Sequence, residues 1–237
     1  MMEDAPDIEE HDWLFVSPHA DDVAWSCGGV IAARGSVGGA CVVTVFDGDS
    51  DHATSPVVER RKRDDRSAAA LLSAKLVSIG LAEAMLRTHA GKPLYPSVLA
   101  ARRSVDPRDE APGLVAETLS PLLSKAKVLF LPLAQRSHVD HAIVRFEAER
   151  LARQDAGLYY YEEFPYSAGV SPAGLVRTML PCIKPAWLAA ADCYAGEAKR
   201  LFGDEALFRT RLEEFIDARV RISGGLAEFP VYRMAAR

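Results

Sequence analysis

The stretch Trp13-Leu14-Phe15-Val16-Ser17-Pro18-His19-Ala20-Asp21-Asp22 decides how this chain is read. Its first four residues form a short apolar run, and a histidine and two carboxylates follow directly. A buried strand that gives way to a loop at Ser17-Pro18 lets those three side chains converge on one point. A second cluster, His138-Val139-Asp140-His141, follows a similar run, Val128-Leu129-Phe130-Leu131-Pro132-Leu133. Two strand ends that both carry imidazole and carboxylate predict one metal site.

Outward from the first run, Val23 to Arg34 is small and apolar with Gly35 behind it, the pattern of a buried helix ended by glycine. Cys41 to Phe46 is a β-branched strand, Asp47 to Pro56 a polar loop, Val57 to Leu72 a long helix and Lys75 to Ile79 a third strand. Strand, helix, strand, helix, strand is the doubly wound α/β pattern. Residues 87 to 113 are rich in proline and glycine and read as irregular surface, with a short helix near Val98 to Arg103. Leu114 to Lys125 returns to helical spacing and feeds the strand at Val128 to Leu133; the second cluster then opens a helix from Val139 to Arg153. Leu158 to Tyr161 makes another strand, Ala186 to Arg219 is mainly helical with a break near Gly203, and Ser223-Gly224-Gly225 marks a turn before the tail. The predicted fold is a single α/β domain of Rossmann-like type, a mostly parallel sheet with helices on both faces. Residues 1–11 are expected to be a flexible amino-terminal segment.

Composition narrows the function. The 237 residues are 49% hydrophobic and 26% charged, ordinary for one globular domain, and the net charge of −5 argues against a protein that neutralises nucleic-acid phosphates. The basic run Arg60 to Arg66 is interrupted by Asp64 and Asp65 and reads as a solvated helix face. No stretch approaches the ~20 apolar residues of a membrane helix, and the acidic start lacks a secretory pattern. The cysteines, Cys27, Cys41, Cys182 and Cys193, show no CxxC pairing and read as reduced, buried residues of a cytoplasmic protein, none of them a ligand.

In open α/β sheets, ligands bind outside the carboxyl ends of the strands. Both clusters, the Asp47 to Pro56 loop and the segment Glu162 to Tyr166 fall at such ends. A catalytic zinc takes three protein ligands at about 2.0–2.2 Å from nitrogen or oxygen and leaves one position open. Two imidazoles and one carboxylate drawn from His19, Asp21, Asp22, His138 and His141 supply that set, with iron equally suited. One carboxylate and one histidine remain to act as base and as oxyanion or leaving-group partner, while Asp140 can orient an imidazole from behind. Spacing alone leaves the assignment open. The plain alternative is that Asp22 caps the helix at Val23 and that His138 to His141 is only the polar start of a helix.

At these residues the chain resembles the PIG-L/LmbE-like family of zinc-dependent N-acetylglucosaminyl deacetylases. The matching motifs are Pro18-His19-Ala20-Asp21-Asp22 and His138-Val139-Asp140-His141, with looser likeness at Thr44-Val45-Phe46-Asp47-Gly48, Arg61-Lys62-Arg63-Asp64 and Ala227-Glu228-Phe229. The resemblance implies that His19, Asp22 and His141 bind zinc and that Asp21 is the general base toward the attacking water. It implies that His138 stabilises the oxyanion or protonates the departing amine, with Asp140 supporting its charge, and that the partner is a small N-acetylated sugar. The chain departs from the family at Val23 and Asp64, where glutamate is usual, and at Tyr194-Ala195-Gly196-Glu197, where Tyr-x-Ser-Gln is usual. These departures leave the substrate open. Arg61, Asp49, Glu163 and Tyr166 are the expected substrate contacts, and a homo-oligomer is compatible with the sequence. His11, His52 and His89 read as surface histidines, His52 the nearest to a role. Three rival readings are a hydrolase of another amide or acyl group, a nucleotide-binding Rossmann module and a catalytically silent scaffold, which should show loss of a ligand or base. The second needs a glycine-rich turn directly after the first strand, and Ser26-Cys27-Gly28-Gly29 comes too late for that.

Overall fold

The computed structural model describes residues 12–49, 55–135, 138–166 and 174–234; the expectation for residues 1–11 and the readings of His11 and His52 lie outside the described residues. The apolar run at the amino terminus forms strand β1 (Trp13–Ser17), followed by α1 (Asp22–Gly35), β2 (Ala40–Thr44), α2 (Pro56–Leu71) and β3 (Lys75–Ser78). A two-stranded hairpin, β4 (Thr88–His89) with β5 (Lys92–Pro93), precedes α3 (Ala111–Leu123), β6 (Val128–Pro132), α4 (Val139–Leu151) and β7 (Gly157–Tyr161). The last part adds β8 (Leu175–Pro181), α5 (Lys184–Asp192), α6 (Ala195–Phe202), α7 (Glu205–Asp217), β9 (Arg221–Ser223) and β10 (Leu226–Met234).

The sheet order is β3-β2-β1-β6-β7-β10-β8, with β9 pairing to β10; the first five strands are parallel and β10 runs antiparallel to its neighbours. The chain therefore moves outward from β1 through β2 and β3, then restarts on the other side of β1 with β6. Loops leaving β1 and β6 diverge above and below the sheet, and this is where a doubly wound fold opens its crevice. Both His/Asp clusters sit where those two connections enter α1 and α4.

Each central strand is buried on both faces, so its side chains alternate between two cores. Phe15 and Phe130 stack with ring centroids 4.3 Å apart beneath α1, α5 and α7, while Leu14, Val16, Leu129 and Leu131 pack under α3 and α4. Helix α1 is seated by Gly28 and Gly29, where an added Cβ would lie 2.7 Å and 2.6 Å from the indole of Trp187 on α5. These glycines are packing surfaces inside a helix and form no phosphate-binding turn.

Three expectations change. The helix read near Val98 to Arg103 is a single 3₁₀ turn at Ala100–Arg102. The helical stretch from Ala186 to Arg219 is three helices, broken at Tyr194 as well as at Gly203, whose φ of 77° needs glycine. Strands β8 and β10 were not anticipated, because Pro230 interrupts the second; it is accommodated where β10 pairs with β8 at Met179 but does not yet pair with β7. No helix among the described residues is long and apolar enough to cross a membrane.

Candidate metal centre

The loop after β1 is folded back on itself by Ser17, whose hydroxyl donates to His19 O at 2.6 Å and accepts from Val23 N at 3.1 Å. It thereby caps α1 in place of Asp22, and the plain capping alternative does not hold. Asp21, at the N-cap position, makes no side-chain cap bond and has φ 95°, ψ −41°. A non-glycine residue there carries strain of about 1–3 kcal/mol, which the surrounding structure must hold in place. The result is that Asp21 and Asp22 both turn their carboxylates toward the crevice, where both are wall residues.

Three donor atoms meet at the floor. His19 Nδ1 lies 3.1 Å and His141 Nε2 3.3 Å from Asp22 Oδ2. The other nitrogen of each ring is held by a carboxylate: His19 Nε2 by Asp140 Oδ2 at 3.0 Å, and His141 Nδ1 by Glu163 Oε1 at 2.5 Å. A neutral ring that donates through one nitrogen presents the lone pair of the other, so these carboxylate partners favour the tautomer that a cation needs. A second group with metal-ligating spacing, His19, His138 and Asp140, shares His19. Asp140 in that group is fully buried, lies outside the cavity wall and is paired to the Arg87 guanidinium at 2.6 Å, which would repel a cation. The first group is the better site.

Electrostatics agree with a cation-binding floor. Burial alone would lower His19, but its bonds to Asp140 and Asp22 push it well above the usual imidazole range. His141 is likewise raised against burial by Asp22 and Glu163. Burial would raise Asp22, yet the two histidines hold it below its ordinary value. Asp21 goes the other way: burial first, then the charges of Asp22 and Glu197, push it well above the usual carboxylate range. A floor that stabilises positive charge on its own imidazoles, with two nitrogens and a carboxylate oxygen converging, fits a divalent metal. The set suits zinc and iron alike.

The cavity above has a volume of about 240 Å³. His138 lines it, and its Nδ1 lies 3.3 Å from Asp140 Oδ2, so the carboxylate that holds His19 and Arg87 also stands beside His138. Arg61 reaches the wall from α2, its Nε and Nη2 gripping Glu197 Oε1 and Oε2 at 3.0 and 3.2 Å, with Glu83 at 3.4 Å from Nη1. The run Arg60 to Arg66 is thus solvated only in part: Arg60 and Arg61 reach Glu197, where Arg200 joins them, and although burial would raise that carboxyl, Arg61 and Arg200 hold it at about 2. A Cβ at Gly196 would lie 2.7 Å from Arg60 Cζ, so a larger residue there would push the Arg60 guanidinium aside.

Tyr166 lines the cavity, 6.3 Å from the His141 ring. Glu163 and Asp49 are placed differently. Glu163 is wholly buried behind His141 and also accepts from Ala134 N at 2.6 Å, so it orients the ring instead of meeting a ligand. Asp49 accepts from Ser55 N at 2.9 Å, joining the two ends of its loop beside α2, and is not part of the cavity wall. His89 is exposed, as read. Cys27, Cys41 and Cys182 are buried free thiols, and Cys193 is only half-buried.

A Rossmann-like sheet that gathers two imidazoles and a carboxylate at its switch point defines an α/β protein with a divalent-metal centre. The chain belongs to the PIG-L family: the family described as GlcNAc-PI de-N-acetylase matches residues 14–152, a span that includes both clusters. The 2'-N-acetylparomamine deacetylase of Streptomyces fradiae is 30% identical over 178 residues, 70% of this chain and 61% of that protein. The protein of the same name from Niallia circulans is 25% identical over 185 residues, 65% of this chain and 67% of that one. The chain thus spans 61% of the length of the first relative. A solved deacetylase from the teicoplanin biosynthesis pathway shares the fold with a TM-score of 0.74 at 20% identity, over 95% of this chain and 100% of that chain.

Proposed function

We propose that the protein is a zinc-dependent N-deacetylase that removes the acetyl group from an amino sugar within a larger conjugate. The observation that carries this reading is the convergence of His19 Nδ1, Asp22 Oδ2 and His141 Nε2 below a cavity that also presents Asp21 and His138. His19, Asp22 and His141 would hold the cation, which supplies polarisation of the acetamide carbonyl and lowers the pKa of a water toward ~7.

Asp21, on the cavity wall next to the ligand Asp22, would take the proton from the attacking water. The proton would then pass to the amine as the C–N bond breaks, giving acetate and a free amino sugar. His138, on the same wall, would donate to the developing oxyanion or the departing nitrogen. Arg61, fixed by Glu197 and Glu83, would offer its guanidinium edge to sugar hydroxyls, with Tyr166 lining the same cavity. The cavity is small beside the ~300–1,000 Å³ pockets that enclose drug-sized ligands. One sugar ring would enter while the rest of the conjugate stayed outside. The two paromamine deacetylases among the relatives support this substrate class. The free thiols support a cytoplasmic setting.

The test is release of primary amine from N-acetylated aminoglycosides and N-acetylglucosamine conjugates by the zinc-loaded protein. Asp21→Asn should keep its metal and lose on the order of 10²–10⁴ in rate. An unchanged rate would remove Asp21 from the base role, and no amine release from any acetylated amino sugar would reject the substrate class.

A further inference from the structure

Asp140 stands directly behind His19, and its two oxygens are divided between different partners. Oδ2 accepts from His19 Nε2 at 3.0 Å and from Ala84 N at 2.9 Å, whereas Oδ1 accepts from Arg87 Nη1 at 2.6 Å. Among the described residues Arg87 is the hydrogen-bond donor to the second oxygen, so it sets the plane of the carboxylate and thereby the direction in which Oδ2 faces His19. The guanidinium is itself immobilised. Its Nε and Nη2 donate to Asp109 Oδ2 at 3.1 and 2.9 Å, Nη1 also reaches Ala82 O at 3.1 Å, and Phe46 and Tyr95 rings lie 5.1 and 5.4 Å from its carbon. Asp109 is held in turn by Tyr95 Oη at 2.8 Å and by Ala111 N at 3.0 Å, where α3 begins.

We propose that Arg87 is a positioning residue for the metal centre: with Asp109 and Tyr95 behind it, it locks Asp140 so that His19 presents Nδ1 to the cation. The proposal rests on the metal reading above and extends it to the segment between residues 87 and 113. That segment supplies the outermost support of the site, since a cation's ligand is only as well aimed as the carboxylate that fixes its ring.

The experiment measures divalent-metal affinity by chelator competition with Zn²⁺, alongside thermal stability, in the full chain. Arg87→Ala should weaken zinc binding by about 10–100-fold. Arg87→Lys, which keeps the charge but cannot fork between Asp109 and Asp140, should weaken it in the same direction and serves if the alanine variant does not fold. A cavity of about 410 Å³ borders both Arg87 and Asp109, so millimolar guanidinium can enter Arg87→Ala and should restore part of the affinity.

Lys75→Ala is the structural control: it strips the ion pair from the buried Asp12 at the other end of β1, and should lower stability without changing zinc affinity. Wild-type zinc affinity in a folded Arg87 variant would overturn the proposal. So would an equal affinity loss in Lys75→Ala, or no recovery with guanidinium. Wild-type protein that binds no cation, or Asp22→Ala that binds as tightly as wild type, would fail the metal reading itself. Unchanged Arg87 variants beside an impaired Asp22→Ala fail only this inference.

Discussion

Replacing Asp65 with asparagine should stabilise the protein at pH 7.5 and lose that advantage in mild acid. Asp65 is 5% exposed on the inner face of α2, and its carboxylate accepts from Thr44 Oγ1 and Tyr194 Oη, both at 2.6 Å. Among the described residues no cation pairs with it. Burial is the main reason its pKa rises from 3.8 to about 6, helped by the charges of Asp47 and Asp22 and opposed by the two hydroxyl bonds. The native state therefore binds this proton more tightly than the unfolded chain does. Stability from this group is full below pH 3.8 and lost as pH rises through about 6.

At about 1.4 kcal/mol per pH unit, the gap corresponds to ~3 kcal/mol between the two limits, of which ~2 kcal/mol falls between pH 4.5 and pH 7.5. Asparagine removes the buried charge but exchanges one charge-assisted bond for a weaker one, an offset of about 1–1.5 kcal/mol. Asp65→Asn should gain about 1–2 kcal/mol at pH 7.5 relative to wild type. Urea denaturation of both proteins at the two pH values reads the difference. A variant whose stability relative to wild type is the same at pH 4.5 and pH 7.5 would refute the reasoning.

Gly29→Ala would place a methyl 2.6 Å from Trp187 Cε3 and 3.1 Å from Cys182 Cβ, and thermal unfolding should show a loss of about 1–3 kcal/mol as the α1 and α5 contact is forced apart. Glu163→Gln turns one of two acceptors into a donor, so either His141 or Ala134 N loses its partner; zinc affinity measured by calorimetry should fall by about 10-fold or more. An unaltered affinity in that variant would show that His141 is aimed by other contacts.

Much of the site was legible because its chemistry is local. Ser17 to Asp22 and His138 to His141 each follow an apolar strand, and the β1 and β6 adjacency that joins them is what a doubly wound pattern implies. The residues that aim the ligands were less visible. Arg87 and Asp109 lie in a stretch whose prolines and glycines suggest only surface, and their pairing across 22 positions leaves no periodic trace. Glu163 was seen as a strand-end carboxylate, but sequence could not tell a residue facing the cavity from one behind a histidine. Asp65 was passed over for its neighbour Asp64, because only the rotation of α2 decides which one faces Thr44 and Tyr194. Gly48 was noted as part of a motif; its reason is steric, since a Cβ there would fall 1.9 Å from Gly80 O.

The most direct test is a crystal structure of the protein with zinc, its position fixed by anomalous scattering. A single peak at about 2.0–2.2 Å from His19 Nδ1, an Asp22 oxygen and His141 Nε2 is the predicted result. A peak lying instead among His19, His138 and Asp140, or none within reach of these side chains, would contradict it.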